Sequence, residues 1–547
     1  MATVKRFWFQ LWAWDDQAKA LLKALLTLNV LAMSTIIRST PENYKERSTE
    51  MDSKKPTEKL ANYTKPQLIG LFLGPALFLL IKTFVSPNDM SATAVTVLAV
   101  VAWIASWWVT EAMPIPITSL LPLLLFPLLG VMETGAVSAN YGDPLIFLFA
   151  GSFMIALSME KWNLHKRIAL SIISFVGTNP STLILGFMVA TAFLSMFISN
   201  TATTMMMVPI SLAVTKHVAD SLKQNSEIDT SPGKFPFGTA LMLGTAYAAT
   251  IGGFGSLVGA PANIILAATV STLYDVEISF ARWLMFGVPL VALLIPIIWL
   301  YLTKVAFPLK LNSIPGGKDI VKKELSGLGK MSYEEKVVLA IFTFTGIAWI
   351  TRSFILNNFI PGLDDTLIAL FAGILLFAIP AKNQGGNILD WDTILKLPWG
   401  ILWLFGGGLA LAAGIMESGL DQWIGGQLTG FGNIPLFLTI ALIVGTITVM
   451  TEFTSNTATA TMVYPIVAVA AATLGTDPIV LMVAANMGAT FAYMFPVAAP
   501  PNAIVFGTGY IKMSTMALTG VWLNLFSLVF TVIIVYFYVP LIFGHLM

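Results

Sequence analysis

The chain has 547 residues, 56% of them hydrophobic and only 11% charged, with a mean hydropathy of +0.80. A soluble domain averages about 25% charged residues, so lipid must be the solvent for much of this one. The net charge of +1 argues against a nucleic-acid partner. The absence of cysteine excludes disulfides, zinc-thiolate sites and iron–sulfur clusters, and the scattered His165, His217 and His545 speak against a histidine metal site.

Residues 1–65 form a polar N-terminal extension with 11 Lys/Arg against 7 Asp/Glu and no evident signal peptide. Within it, Ala18 to Ile37 reads either as an amphipathic helix at the membrane interface or against a partner, or as part of a disordered tail. A first span is expected within 66–90, near 66–85. Residues 91–305 hold spans near 91–110, 115–131, 144–160, 237–272 and 283–305, with an apolar stretch at 181–215 that is polar at its middle. A cytoplasmic linker, 306–334, follows. Residues 335–547 hold spans near 335–352, 363–380, 398–417, 477–508 and 517–543, with a second interrupted stretch at 434–472. Both interrupted stretches read as re-entrant helical hairpins. The expected fold is therefore an all-α polytopic membrane protein with eleven transmembrane segments and two hairpins.

Basic residues set the orientation. With a cytoplasmic N-terminus, the segments 161–183, 216–236, 304–336, 382–397 and 509–516 lie inside and carry 16 Lys/Arg, while the outside holds Arg282 and Arg352, with Lys82 at a span end. The reverse topology would invert that ratio. The expected location is a plasma (cell inner) membrane.

An internal repeat runs through the chain. Ser199-Asn200-Thr201, Pro209 and Ile210 recur 256 residues later as Ser455-Asn456-Thr457, Pro465 and Ile466. Upstream, Leu148-Phe149-Ala150-Gly151 corresponds to Leu404-Phe405-Gly406-Gly407. Downstream, Gly259-Ala260-Pro261-Ala262-Asn263 resembles Ala498-Ala499-Pro500-Pro501-Asn502. The topology puts the two hairpins on opposite sides, so the repeats are inverted, and such carriers bind substrate and ions where broken helices meet. A hairpin tip offers carbonyls to a cation and amides to an anion. Ser, Thr and Asn serve either role, and a ring of neutral oxygens suits a hard cation such as Na+. Pro261, Pro500 and the glycines of 252–259 break the second element of each half, freeing further carbonyls. One Ser-Asn-Thr alone would read as helix capping; two copies at matched positions do not.

At these residues the sequence resembles the divalent anion/sodium symporter family, which includes sodium-dependent dicarboxylate and citrate carriers. The resemblance covers residues 66–547. It rests on the doubled triplet, on Thr451-Glu452-Phe453-Thr454 and on Pro496-Val497-Ala498-Ala499-Pro500-Pro501-Asn502. It implies a scaffold domain and a moving transport domain, in a homodimer that works as an elevator. It also implies a first sodium site at Ser195, Ser199, Asn200 and the Gly259 carbonyl, and a second at Thr451, Thr454, Asn456 and the Ala498 carbonyl. Substrate carboxylates would meet Ser199, Asn200, Thr201, Ser455, Asn456, Thr457 and Pro500. Ala499 departs from the threonine that relatives often carry there, which leaves the fine substrate preference open.

Glu452 is the only acid at membrane depth near a triplet. It reads first as a buried carboxylate bonded to the hairpin backbone, and second as a coupling group. Neutral oxygens abound and a proton relay is missing, which favours sodium over protons. No Lys or Arg falls at either triplet, so helix amide ends and bound cations must balance the anion. Two carboxylates facing two triplets suggest succinate, malate or fumarate; citrate, sulfate and dicarboxylate exchange remain alternatives. A channel is the rival reading from another class. A membrane-embedded enzyme lacks a nucleophile–base pair, so no enzymatic activity is expected.

Overall fold

The structure is a computed structural model that describes residues 63–85, 90–175, 179–223, 229–309, 317–383, 385–428 and 434–544. The amphipathic segment expected at 18–37 lies outside the described residues. Among those described, no strand forms beyond one isolated bridge between Pro380 and Asn387.

The first helix, α1 (Lys65–Phe84), opens with a capping box between Thr64 and Gln67. Only Gly70 and Gly74 are buried along it. These two, four residues apart, seat it against Thr110 and the Trp103–Trp107 pair of α2 (Ala92–Thr110), the small-residue contact by which helices pack in lipid. The span expected at 115–131 is instead two short helices, α3 (Ile115–Thr118) and α4 (Leu121–Leu128). Pro116, Pro122 and Pro127 remove the amides that one continuous ladder would need. Trp107 and Trp108 are buried, whereas Trp399 and Trp403 are exposed.

Then come α5 (Thr134–Asn140), α6 (Pro144–Lys161), α7 (Leu164–Ser174), α8 (Pro180–Ser195), α9 (Asn200–Lys223), α10 (Pro236–Phe254), α11 (Pro261–Tyr274) and α12 (Phe280–Leu300), which ends in a π-helical turn, Tyr301–Ala306. The linker carries α13 (Gly317–Gly327). After it follow α14 (Tyr333–Thr351), α15 (Asp365–Ala378), α16 (Trp391–Ile394), α17 (Trp399–Glu417), α18 (Leu420–Leu428), α19 (Leu436–Thr451), α20 (Asn456–Thr473), α21 (Pro478–Thr490), α22 (Pro500–Phe506), α23 (Met513–Phe537) and α24 (Val539–Phe543).

Seven described helical stretches are long and apolar enough to cross a membrane, and six further apolar ones are shorter. Both interrupted stretches break at their polar triplets, and the expected spans 237–272 and 477–508 each divide into two helices around their Gly/Ala-Pro-Asn motifs. At the centre, α10 and α21 are buried along their whole length. Their small residues admit the close approach: Gly244 of α10 meets Met188 of α8, and Gly488 of α21 meets the Val444 backbone of α19. The outer surfaces of α1, α15 and α23 carry exposed Leu, Ile and Phe, as lipid-facing helices do.

Ion pairs tie the ends of the helices. Arg167 grips Glu335 with Nε and Nη2 (2.7 and 3.1 Å), and Lys161 reaches Asp390 at 2.7 Å. Arg352, nearly buried, bridges Asp365 (2.7 Å) and Glu277 (2.5 Å).

Candidate functional site

The two triplets meet. One cavity of about 550 Å³ is lined by Ser199, Asn200, Thr201, Gly259, Ser455, Asn456, Thr457 and Pro500. All seven residues expected to face substrate therefore share one space. Helix starts explain it: α9 begins at Asn200, α11 at Pro261, α20 at Asn456 and α22 at Pro500, and each of these four residues lines the cavity. Three of these helices are long, so their unsatisfied amides and dipoles make the centre favourable to an anion. Phe149, Phe153, Ile401 and Leu404 supply apolar wall, and exposed Glu160 and Lys396 stand at the rim.

Behind each triplet lies a cluster of oxygens. In the first half, the Ser195 hydroxyl lies 2.7 Å from Asn200 Oδ1 and 2.6 Å from the Ala249 carbonyl. In the second, the Thr451 hydroxyl lies 2.7 Å from Asn456 Oδ1 and 3.0 Å from the Ala489 carbonyl. Thr451 and Asn456 follow Ser195 and Asn200 by the 256-residue offset of the triplets. The Ala249–Ala489 match was not singled out from sequence, since carbonyl ligands leave no side-chain signature.

The Asn456 amide end lies 2.8 Å from the Ala498 carbonyl, 3.2 Å from the Ala489 carbonyl and 2.7 Å from the Thr451 hydroxyl, and with its nitrogen turned to them it donates to all three. Converging neutral oxygens are what a hard cation takes. The turned amide satisfies the same pocket without one.

Close packing makes the first half the tighter of the two. A methyl on Gly253 would overlap Asn200 Oδ1, and one on Gly259 would lie 2.6 Å from the Gly253 carbonyl and 2.9 Å from those of Ser195 and Met196. The positions 239 residues later are Ala492 and Ala498, so the second half has room for a methyl at each.

The unwound segments are clamped by different chemistry. In the first half, the Ser256 hydroxyl donates to the Met196 carbonyl and accepts from Gly259 N at 3.0 Å. The residue 256 positions after Met196 is Glu452. Its carboxylate, 2% exposed, accepts from the amides of Tyr493 (2.8 Å), Met494 (3.1 Å) and Phe495 (3.1 Å), and from Asn524 Nδ2 (2.6 Å). Glu452 is thus bonded to the broken segment of the neighbouring span rather than to its own hairpin backbone. Thr454 bonds the Met450 carbonyl (2.9 Å) and the Thr459 hydroxyl (2.6 Å). Among the described residues no cluster of His, Cys, Asp and Glu could hold a transition metal.

The sequence profile described as the sodium:sulfate symporter transmembrane region matches residues 65–544. The chain is 49% identical over 487 residues to the sodium-dependent dicarboxylate transporter SdcS of Staphylococcus saprophyticus, covering 88% of this chain and 93% of that one. It is 48% identical over 492 residues to SdcS of Staphylococcus aureus strain USA300, covering 89% and 94%. Two solved structures share the fold at low identity. The Alcanivorax borkumensis YdaH transporter superposes with a TM-score of 0.57 at 14% identity, over 87% of this chain and 100% of that one. Neisseria gonorrhoeae MtrF gives 0.53 at 11%, over 87% and 95%. The chain is therefore a multi-pass membrane transporter and not an enzyme, and it belongs to the divalent anion/sodium symporter family.

Proposed function

We propose that the chain is a sodium-coupled symporter of short dicarboxylates such as succinate, malate and fumarate. It resides in the plasma membrane with a cytoplasmic N-terminus, as a homodimer working by elevator-type alternating access. The observation that carries the reading is the convergence of Ser199–Thr201 and Ser455–Thr457 on one cavity at the starts of long helices. Two amide-rich ends facing each other suit a ligand with an acid group at either end. The oxygen clusters behind them suit sodium, and the SdcS relatives are named for sodium and dicarboxylate. The first cluster is assigned Ser195, Ser199, Asn200 and the Gly259 carbonyl; the second, Thr451, Thr454, Asn456 and the Ala498 carbonyl.

Among the described residues no cationic side chain lines the cavity at the triplets themselves; Lys396 stands at the rim. An anion entering alone would leave water for a neutral pocket. Bound sodium offsets that penalty, so affinity and coupling share one cause. The proposed orientation is supported by the ion pairs: Lys161–Asp390 and Arg167–Glu335 each join segments that the basic-residue count puts inside, and Arg352–Glu277 joins two that it puts outside.

The test is uptake of labelled succinate into proteoliposomes, with and without an inward sodium gradient, with citrate and sulfate as competitors. Asn200→Ala and Asn456→Ala each remove hydrogen bonds to charged ligands worth about 1.5–3 kcal/mol, roughly ten- to a hundredfold in affinity. Both should raise the sodium and the succinate concentrations needed for half-maximal uptake. Normal succinate uptake with unaltered sodium dependence in either variant refutes the site.

A further inference from the structure

A chain of buried hydrogen bonds runs from the unwound segment beside the first oxygen cluster to the end of α21 beside the second. It starts in the unwound segment of the first half, where Asn263 Nδ2 donates to the carbonyls of Gly253 (3.1 Å) and Ser256 (2.8 Å). Asn263 Oδ1 accepts from Asn486 Nδ2 on α21 at 2.9 Å. Asn486 Oδ1 accepts from the Thr490 hydroxyl at 3.2 Å. Thr490 closes α21. Its own carbonyl accepts from Asn456 Nδ2 at 3.3 Å in one orientation of that amide, and the carbonyl before it, Ala489, accepts from Thr451. Asn263 and Asn486 are fully buried and Thr490 is 3% exposed. Neither asparagine lines the cavity.

Among the described residues the amide-to-amide link has no counterpart in the other direction. Asn502, which follows Asn263 by 239 residues, bonds its own unwound segment in the same way, through Nδ2 to the Ala492 (3.3 Å) and Phe495 (3.2 Å) carbonyls. Its Oδ1, however, is buried without a partner. With Ala249 matching Ala489 and Thr250 matching Thr490, the position that corresponds to Asn486 is Ala246, which has no donor to offer. The asparagine relay therefore runs one way; in the reverse direction α10 reaches the second unwound segment through the Tyr247 hydroxyl, which donates to the Tyr493 carbonyl at 3.0 Å and does not engage Asn502.

We propose that Asn486 is a positioning residue that couples the two sodium sites, so that filling the first prepares the second; this rests on the sodium-symport reading above. A cation that draws the Gly259 carbonyl to itself orders the segment from Gly253 to Gly259. That ordering fixes the Asn263 amide, and a primary amide held at both ends has one orientation rather than two. Asn486 and then Thr490 follow. The end of α21 is where the Asn456 amide meets the Ala489 carbonyl and the Thr451 hydroxyl, so its placement sets which oxygens the second cluster can offer a cation. Coupling of this kind is reciprocal and amounts to about 5- to 150-fold in affinity.

The experiment is initial succinate uptake by reconstituted protein as a function of sodium concentration, for wild type, Asn486→Ala and Thr490→Val. Wild type should rise steeply, with a Hill coefficient above one. Both variants should flatten toward one and need about fivefold more sodium or more for half activation. A residue that merely held the core together would lower the maximal rate or the melting temperature and leave the steepness alone. Thr490→Val keeps the side-chain shape and removes only one link, so wild-type steepness in that variant overturns the proposal even if Asn486→Ala does not fold. A wild type that is driven by sodium but responds hyperbolically overturns the coupling and leaves the functional reading standing. A wild type that ignores sodium removes both.

Discussion

Replacing Glu452 by glutamine separates a structural carboxylate from a coupling one. All its partners are donors: three consecutive backbone amides, Tyr493 to Phe495, and the Asn524 side chain. Glutamine keeps the size but offers one oxygen instead of two. With that oxygen at the Oε1 position, the bonds from Tyr493, Met494 and Asn524 survive, and the new amino group faces the Phe495 amide. The Phe495 amide loses its acceptor and the new amino group gains none, so two buried donor groups are left unsatisfied, at about 1–3 kcal/mol each. Glu452→Ala strands all four partners and empties the site, and its cost should be larger still. The assays are melting of the purified protein and sodium-driven uptake in proteoliposomes between pH 6 and 8. Glu452→Gln should melt earlier yet transport at saturating sodium, with a pH profile parallel to wild type. A variant that melts like wild type but has lost transport, or has lost its pH dependence, would falsify the clamp and make Glu452 a proton carrier.

Gly253→Ala should abolish sodium-dependent uptake, because the added methyl overlaps Asn200 Oδ1; overpacking costs about 1–3 kcal/mol, and here the displaced group is a proposed ligand. Ala492→Gly, at the corresponding position, should transport nearly as wild type in the same uptake assay. In the loop before α16, hydrogen bonds from Lys161 and Thr393 hold the Asp390 carboxyl down to about 2. A depressed carboxyl stabilises the fold above its unfolded value and loses that contribution only as the pH falls through the folded one. The difference in melting temperature between wild type and Asp390→Asn should therefore stay constant from pH 8 to 5; a gap that narrows across that range counts against the Lys161–Asp390 clasp.

The sequence exposed the main helices through their apolar runs and the site through repetition. Ser199–Thr201 and Ser455–Thr457 stand out because polar triplets are rare inside long apolar stretches, and their shared offset made them a pair. The breaks at 255–260 and 491–499 were legible in Gly255, Gly259, Pro261 and Pro500. What stayed hidden has a common cause. Ala249 and Ala489 act through main-chain carbonyls, which every residue possesses. Asn486 looks like any polar residue in a helix until its partner, 223 residues away in sequence, is placed beside it. The division of 115–131 was missed although its prolines were in view, because overall hydropathy outweighed them. Glu452 was recognised as buried, but its partners belong to a segment some forty residues on, which pattern along the chain does not reveal.

The cavity runs from the triplets to exposed Glu160 and Lys396 at its rim, and the chain contains no cysteine at all. A single thiol placed on its wall, at Ile401 or Leu404, would be the only reactive sulfur in the protein. Labelling with an impermeant maleimide from each face of the bilayer in turn would read out which aqueous compartment the mouth opens to. Repeating it with sodium and succinate would show whether that access closes.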